Sequence, residues 1–143
     1  MTLAWLMVAL LVAGRTGADD ASTPMALHAE VKCEPLAGPG KVQCTVRERP
    51  LGGKLRWGDA IVLSAPPFAP PLHTRLSTRD ASRNDEDGAD FLLALGATAD
   101  GIGKLRVLAR AVVCGQTGCR PVRAEAATSV AVGISVDGGG ADR

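Results

Sequence analysis

The sequence predicts an all-β protein, an immunoglobulin-like sandwich of two antiparallel sheets with about seven strands; a small β-barrel is the alternative. Short segments alternate apolar and polar residues with a period of two, which is typical of strands with one buried face. Turn-forming glycines and prolines separate these segments at intervals of roughly eight to fifteen residues. No segment after the N-terminal region has helical periodicity, so the fold is expected to consist of strands.

The N-terminal region is typical of a secretory signal peptide. An apolar run at residues 3–13 is followed by small residues and then two acidic ones, which predicts a signal peptide at 1–18. Cleavage after Gly14 is the alternative to cleavage after Ala18. The run is shorter than the about 20 apolar residues that span a bilayer. We therefore expect a mature chain without a membrane span, a single β-sandwich domain at 25–136, a flexible tail at 137–143, and a periplasmic or secreted location.

Composition argues against two classes of binding partner, nucleic acids and anionic membranes. A chain of 143 residues with a formal net charge of +1 suits one domain and has no basic excess that would favour nucleic acid or an anionic membrane. Its abundance of alanine, glycine and arginine is typical of a bacterial protein.

The most distinctive segment is a predicted β-hairpin at residues 103–123. Its odd positions from 105 to 113 are all apolar, whereas lysine and arginines occupy even positions. The alternation resumes after Cys119, and the intervening Gly-Gln-Thr-Gly predicts a four-residue loop whose glycines tolerate positive φ. Cys114 and Cys119 are therefore expected to face each other at the mouth of this hairpin.

A second hairpin is predicted at the start of the domain. Residues 27–33 and 42–46 alternate in the same way and are joined by a loop rich in proline and glycine. If this loop turns at its centre, Cys33 lies directly opposite Cys44, and both share the apolar face of their strands. The geometry suits a disulfide.

Three more strands are predicted between the two hairpins, at 54–65, at 73–77 on a sheet edge, and at 91–98 in the core. In the first of them the residues expected to point inward, with Trp57 as a core anchor, are Leu55, Trp57, Ile61 and Leu63. The proline-rich segment 65–71 is expected to be a stiff crossover in polyproline II conformation along an edge.

Residues 78–90 are polar and lack apolar periodicity, which predicts a mobile surface loop. The acidic residues of this segment are of the type that binds calcium in EF-hand loops. An EF-hand alignment on Gly88 would place Arg83 at the first ligand position and Ala94 at the last, so the required ligands are missing.

In an exported protein the four cysteines are expected to form disulfides, and three pairings are possible. In an immunoglobulin-like arrangement the second and sixth predicted strands run in the same direction, which places Cys44 and Cys114 at opposite ends of the sandwich. A bridge between the sheets is therefore disfavoured, and the local pairs Cys33–Cys44 and Cys114–Cys119 are predicted.

The two pairs are expected to differ in chemistry. The first shares its face with core residues, whereas Cys114 and Cys119 share theirs with Arg110 and Arg123, and Arg120 follows directly. Accessibility and nearby positive charge lower the pKa of a thiol and favour exchange. The second pair is therefore the candidate redox pair.

The sequence CGQTGCRP at residues 114–121 resembles the N-terminal immunoglobulin-like domain of the thiol:disulfide interchange protein DsbD, and the resemblance covers about residues 91–123. The resemblance implies that Cys114 and Cys119 alternate between dithiol and disulfide and exchange electrons with a thioredoxin-like partner. The chain departs from this family by lacking its aromatic residues around the cysteines and by adding Cys33 and Cys44.

No other catalytic or ligand-binding pattern is present. His28 and His73 are isolated, and no second pair of zinc ligands accompanies a cysteine pair. Neither a phosphate loop nor a nucleophile motif occurs, so we expect no cofactor and no metal. The sequence favours a non-catalytic, exported protein-binding module stabilised by two local disulfides, which binds through 65–71 and 78–90. The alternative is a periplasmic thiol–disulfide oxidoreductase.

Overall fold

The computed structural model describes residues 23–134, which form two four-stranded antiparallel sheets packed as a sandwich. The strands are β1 (Ala26–Cys33), β2 (Gly40–Leu51), β3 (Lys54–Ser64), β4 (Arg75–Leu76), β5 (Ala81–Asp85), β6 (Gly88–Ala97), β7 (Gly101–Gly115) and β8 (Gly118–Val132). The predicted signal peptide at 1–18 and the predicted tail at 137–143 lie outside the described residues. Within 23–134 no helix is long and apolar enough to cross a membrane.

The strand order is that of an immunoglobulin-like sandwich. The first sheet has the order β1-β2-β6-β5 and the second has the order β4-β3-β7-β8. This is the ABED and CFG arrangement of constant-type immunoglobulin domains, with β4 added beside the third strand. The predicted fold class is confirmed, the sheets do not close into a barrel, and the strand count is eight because β5 was not expected.

The core between the sheets is almost entirely aliphatic, and Phe91 is its one fully buried aromatic side chain within residues 23–134. The alternation predicted for β1, β2 and β7 is confirmed. β6, which was expected to be a buried strand, also alternates, and Leu92 on its outer face is exposed. Buried residues at alternating positions of three of these strands are Val42, Cys44, Val46, Phe91, Leu93, Leu95, Leu105, Val107, Ala109, Ala111 and Val113.

The prediction for β3 is wrong after its second residue. Leu55 is buried opposite Val113, but Trp57 pairs with the very next residue of β7, so Arg56 is an extra residue in a β-bulge. The bulge reverses the inward and outward positions that follow. Trp57 is therefore 42% exposed instead of anchoring the core.

The two other residues of β3 that were expected to point inward also lie elsewhere. Ile61 pairs with Leu108 on the outer face and is half-buried, and Leu63 is exposed beside a second register shift. The inward positions after the bulge belong to Gly58, Ala60 and Val62, which are small or β-branched and fill the space beneath β7.

Residues 78–90 are folded, not a mobile loop. A short 3-10 turn at Thr78–Asp80 is followed by β5, which pairs with the start of β6. The Asp85 carboxylate accepts hydrogen bonds from the N–H groups of Asp87 (2.8 Å) and Gly88 (3.1 Å) and so closes the turn between the strands. The segment lacks an apolar pattern because β5 is a largely exposed edge strand.

The proline-rich segment 65–71 lies along a sheet edge, as predicted. It is not a continuous polyproline II stretch, because the Ala69 N–H donates to the Pro66 carbonyl (2.9 Å) and closes a turn. Beyond the end of β5 it takes the vacant place beside β6, where the Gly96 N–H donates to the Pro70 carbonyl (2.8 Å) and the Thr98 N–H to the Phe68 carbonyl (2.8 Å). Prolines are compatible with this position because the segment contributes mainly carbonyl acceptors. It is therefore packed into the fold and does not form a free peptide ligand.

Glu48 is a carboxyl group buried in the aliphatic core. It continues the inward face of β2 and is 0% exposed. Its side chain reaches across to β3, where a Cβ atom at Gly58 would collide with its Oε2. Neither carboxyl oxygen has a hydrogen-bond partner within residues 23–134. Burial, and to a smaller extent the charge of Asp59, raises the pKa of Glu48 to about 8. The backbone of Arg110 has a smaller effect, which lowers this pKa.

We expect Glu48 to make the stability of the protein depend on pH. Its pKa is raised in the folded state, so its contribution is fully present below the unfolded pKa, near 4.5, and is lost as the pH rises to about 8. The Glu48→Gln variant should lose this decline and exceed the wild type by about 3–5 kcal/mol in unfolding free energy at pH 9. Urea unfolding at pH 5, 7 and 9 measures the difference. Equal pH slopes for the two proteins would contradict it.

Candidate functional site

The outer face of the second sheet carries an exposed tryptophan within an apolar row. Trp57 of β3 pairs with Val112 of β7, which pairs with Pro121 of β8, so the three side chains lie side by side across three strands. Trp57 and Pro121 are exposed and Val112 is half-buried. These three residues are named the Trp57 row below.

An ion-pair network supports the Trp57 row on one side. Asp59, only 2% exposed, accepts hydrogen bonds from Nε of Arg110 (2.8 Å) and from Nε of Arg75 (3.0 Å). The Arg110 guanidinium lies 5.9 Å from the centre of the Trp57 ring, within the range of a cation–π interaction. The hydrogen bond to Asp59 raises the pKa of Arg110, so the guanidinium remains charged. The tryptophan is therefore held at the surface by its neighbours.

The Cys114–Cys119 disulfide lies on the other side of the Trp57 row. The structure contains this bond between directly opposite residues of β7 and β8. Cys114 follows Val112 by two residues and shares its face, roughly 7 Å further along the strand. Cys119 is exposed and Cys114 is half-buried. The disulfide and the tryptophan therefore belong to one surface.

The connection between these cysteines is tighter than the sequence predicted. β7 continues to Gly115 and β8 begins at Gly118, so the expected four-residue loop is a two-residue turn of Gln116 and Thr117. Gly118 has a φ of 126°, a value that favours glycine. An open groove of about 1290 Å³ borders the turn on the side of Met25 and leaves the disulfide accessible.

Two arginines follow Cys119 along β8. Arg120 pairs with buried Val113 and by alternation belongs to the opposite face of the sheet from the disulfide. Arg123 pairs with Arg110, four residues from Cys119 and beyond the Trp57 row. Arg120 and Arg123 are both exposed, and neither forms a salt bridge within residues 23–134. Arg110 shares the face of the disulfide, as expected, but its charge is neutralised by Asp59. Two of the three arginines singled out in the sequence are therefore available to an acidic partner.

The Cys33–Cys44 disulfide occupies a different environment. It joins directly opposite residues at the end of β1 and near the start of β2, far from the Trp57 row. Cys44 is buried and Cys33 is half-buried against the core. This burial fits a structural role.

The acidic residues of the β5–β6 hairpin are paired with cations and do not form a metal site. Their partners, in the order acid and base, are Asp85 with Arg83, Glu86 with Arg56, Asp87 with Lys54 and Asp90 with Arg49. No group of three possible metal ligands occurs in residues 23–134. His28 and His73 are exposed and separate.

A groove of about 620 Å³ crosses the outer face of the first sheet. Exposed Leu72 and Leu92 line it together with His73 and charged side chains of β1 and β2. Its lining lacks a buried, unpartnered polar group of the kind that fixes a small ligand, since within residues 23–134 only Glu48 has such atoms. The Trp57 row with its adjoining disulfide is therefore the better candidate site.

Comparison of the chain with models of protein families, with curated proteins and with solved structures found no match in any of the three.

Two residues of this site were not predicted as such. Trp57 was assigned to the core, and Asp59 was not singled out at all. Gly58 between them was the available signal, since an isolated glycine within a strand often marks a bulge or a close backbone approach.

The two disulfides should differ in their contributions to stability. They join residues 11 and 5 positions apart, and the longer loop removes more entropy from the unfolded chain. We expect the Cys33→Ala/Cys44→Ala variant to lose about 3 kcal/mol of unfolding free energy and the Cys114→Ala/Cys119→Ala variant about 2 kcal/mol. Urea unfolding of both variants tests this. An unchanged midpoint for the first variant would show that its bridge is not a stabilising cross-link.

Proposed function

We propose that the protein is an exported, non-catalytic β-sandwich module that binds another protein through the Trp57 row. The single observation that supports this most is the exposed tryptophan. A Trp side chain buries a large area when it is covered, and tryptophan and arginine are enriched among residues that dominate binding energy. Here the ring is exposed, flanked by Val112 and Pro121, and braced by Arg110.

The backbone supports the same conclusion. Without the extra residue at Arg56, the alternation of β3 would turn Trp57 into the core. The bulge instead directs it outward, where its remaining exposed area gives burial energy only when a partner covers it. Bulges that redirect a side chain are often found beside functional sites.

The proposed location is an oxidising compartment outside the cytoplasm. Two disulfides account for all four cysteines of the chain, which is typical of exported proteins. Together with the signal-peptide pattern at 1–18, this favours the periplasm or secretion.

Photo-crosslinking tests the binding surface. A photoreactive phenylalanine analogue at position 57, introduced in the source organism, should give a covalent adduct with one partner protein. The matched control is position 102, because Ile102 is an exposed apolar residue on the outer face of the same sheet, roughly 33 Å along β7 from Val112. No adduct at 57, or the same adduct at 102, would contradict the proposal.

The Trp57→Ala variant should weaken binding of the captured partner by at least about 30-fold, which corresponds to about 2 kcal/mol, the usual threshold of a hot spot. Its unfolding free energy should change by less than about 1 kcal/mol, because an exposed side chain contributes little to folding. Ile102→Ala is the control for both measurements. A loss of about 3–5 kcal/mol of stability would instead indicate a core residue.

The second candidate function is thiol–disulfide exchange at Cys114 and Cys119. The exposure of Cys119 beside the Trp57 row supports it, as does the resemblance to the DsbD domain. A partner thiolate would attack the accessible sulfur of Cys119 and release Cys114 as a thiolate. A second partner thiol would then resolve the mixed disulfide, so that two electrons and two protons pass to this protein and the partner becomes a disulfide.

The reduction potential of this pair decides between the two functions. A working pair should have a potential between about −270 and −120 mV, whereas a structural one should lie below about −300 mV. Equilibration of the Cys33→Ala/Cys44→Ala variant with glutathione buffers, followed by alkylation of free thiols, measures it. A working pair also predicts that Cys114→Ser traps a mixed disulfide through the exposed Cys119, and that Cys119→Ser traps far less.

A further inference from the structure

β8 forms a free edge of the second sheet over most of its length. Within residues 23–134 it pairs with β7 on one side, and no strand is hydrogen-bonded along its other side, although β1 packs close to it. Near its end the chain itself covers this edge, where the Leu36 N–H donates to the Ala131 carbonyl (3.1 Å) and the Gly133 N–H donates to the Leu36 carbonyl (2.8 Å). From residue 119 to residue 129 the outer edge has no backbone hydrogen-bond partner within 23–134.

The outward-pointing backbone groups of β8 belong to its odd-numbered residues. In an antiparallel pair, alternate residues direct N–H and C=O towards the neighbouring strand or away from it. The Ala131 carbonyl points to Leu36 and away from β7. The backbone groups of every second residue before Ala131, which are the odd-numbered residues, therefore also point away from β7. Pro121 belongs to this outward set, so its missing N–H removes nothing from the ladder with β7.

The charges along this edge are self-complementary. Arg123 and Glu125 are successive outward positions, and both are exposed. When two copies of β8 run antiparallel with Ala124 on the two-fold axis, Arg123 of each copy lies opposite Glu125 of the other. Shifting one strand by two residues in either direction places the two copies of Arg123, or the two copies of Glu125, opposite each other. Either shift juxtaposes like charges.

Arg123 forms no salt bridge within residues 23–134. Its cross-strand partner is Arg110, whose charge is already satisfied by Asp59. Glu125 pairs with Arg106 (2.8 Å) but stays largely exposed and can accept from a second guanidinium. Edge pairing would give Arg123 the carboxylate that residues 23–134 do not supply.

We propose that the protein forms a symmetric dimer in which β8 pairs antiparallel with β8 of a second copy in this register. The second sheets of the two copies then become one continuous eight-stranded sheet, joined by about ten backbone hydrogen bonds. The inward side chains nearest the axis are Val122, Ala124 and Ala126, which are small and half-buried. The outer face and the Trp57 row remain open.

A charge-swap experiment tests the register. Arg123→Glu alone or Glu125→Arg alone opposes like charges at both symmetry-related positions, and each should raise the dimer dissociation constant at least tenfold. The combined swap Arg123→Glu/Glu125→Arg restores opposite charges and should restore dimerisation. Lys104→Glu, on the same sheet but away from the edge, changes the net charge as much as Arg123→Glu and should have no effect. Light scattering of the mature protein over a concentration series measures each state.

Cross-linking tests the two-fold axis independently of charge. All four native cysteines are in disulfides, so an introduced cysteine is the sole free thiol. Ala124→Cys should oxidise to a covalent dimer, whereas Thr128→Cys, which faces the same side but lies roughly 13 Å from the axis, should not. A monomeric protein at every concentration, failure of the swap to restore the dimer, or equal cross-linking of the two cysteine variants would overturn the proposal.

Discussion

One extra residue in β3, Arg56, determines which of the following side chains of that strand face the core and which face solvent. The bulge turns Trp57 and Asp59 to the outer face and Gly58 to the core. Trp57 and Asp59 then meet Arg110, and together they build the candidate site. Gly58 leaves the space in the core that Glu48 occupies. Removing the bulge would reverse every one of these placements at once, because inward and outward positions alternate strictly along a strand.

The two buried carboxyl groups near this bulge illustrate opposite solutions to the cost of burying charge. Asp59 lies under two arginines, whose hydrogen bonds compensate for its removal from water. Glu48 has no such partner within the described residues, and burial favours its protonated form instead. The Asp59 carboxylate organises the surface around Trp57. At the position of Glu48, a neutral side chain of the same shape would suit the aliphatic core better.

The strands with regular alternation could be predicted from the sequence, and the irregular ones could not. The inward residues of β2 and β7 and both local cysteine pairs follow from a period of two. The same period continued past Val46 places Glu48 inward. The reversal in β3 depends on pairing with β7, which local sequence does not encode. The β5 strand was missed because an exposed edge strand needs no apolar face, and the Trp57 site depends on three strands distant in sequence.

Each disulfide lies within one hairpin, so no covalent cross-link joins the two sheets. The bonds instead fasten the first and last strands of the described domain. β1 is fixed to β2 at Cys33 and β8 is fixed to β7 at Cys119, in both cases at the end of the strand farther from the chain terminus. A mechanical load on the termini could therefore peel either strand away only as far as its disulfide. The detached strand would stay tethered beside its partner, ready to pair again in the same register when the load is released.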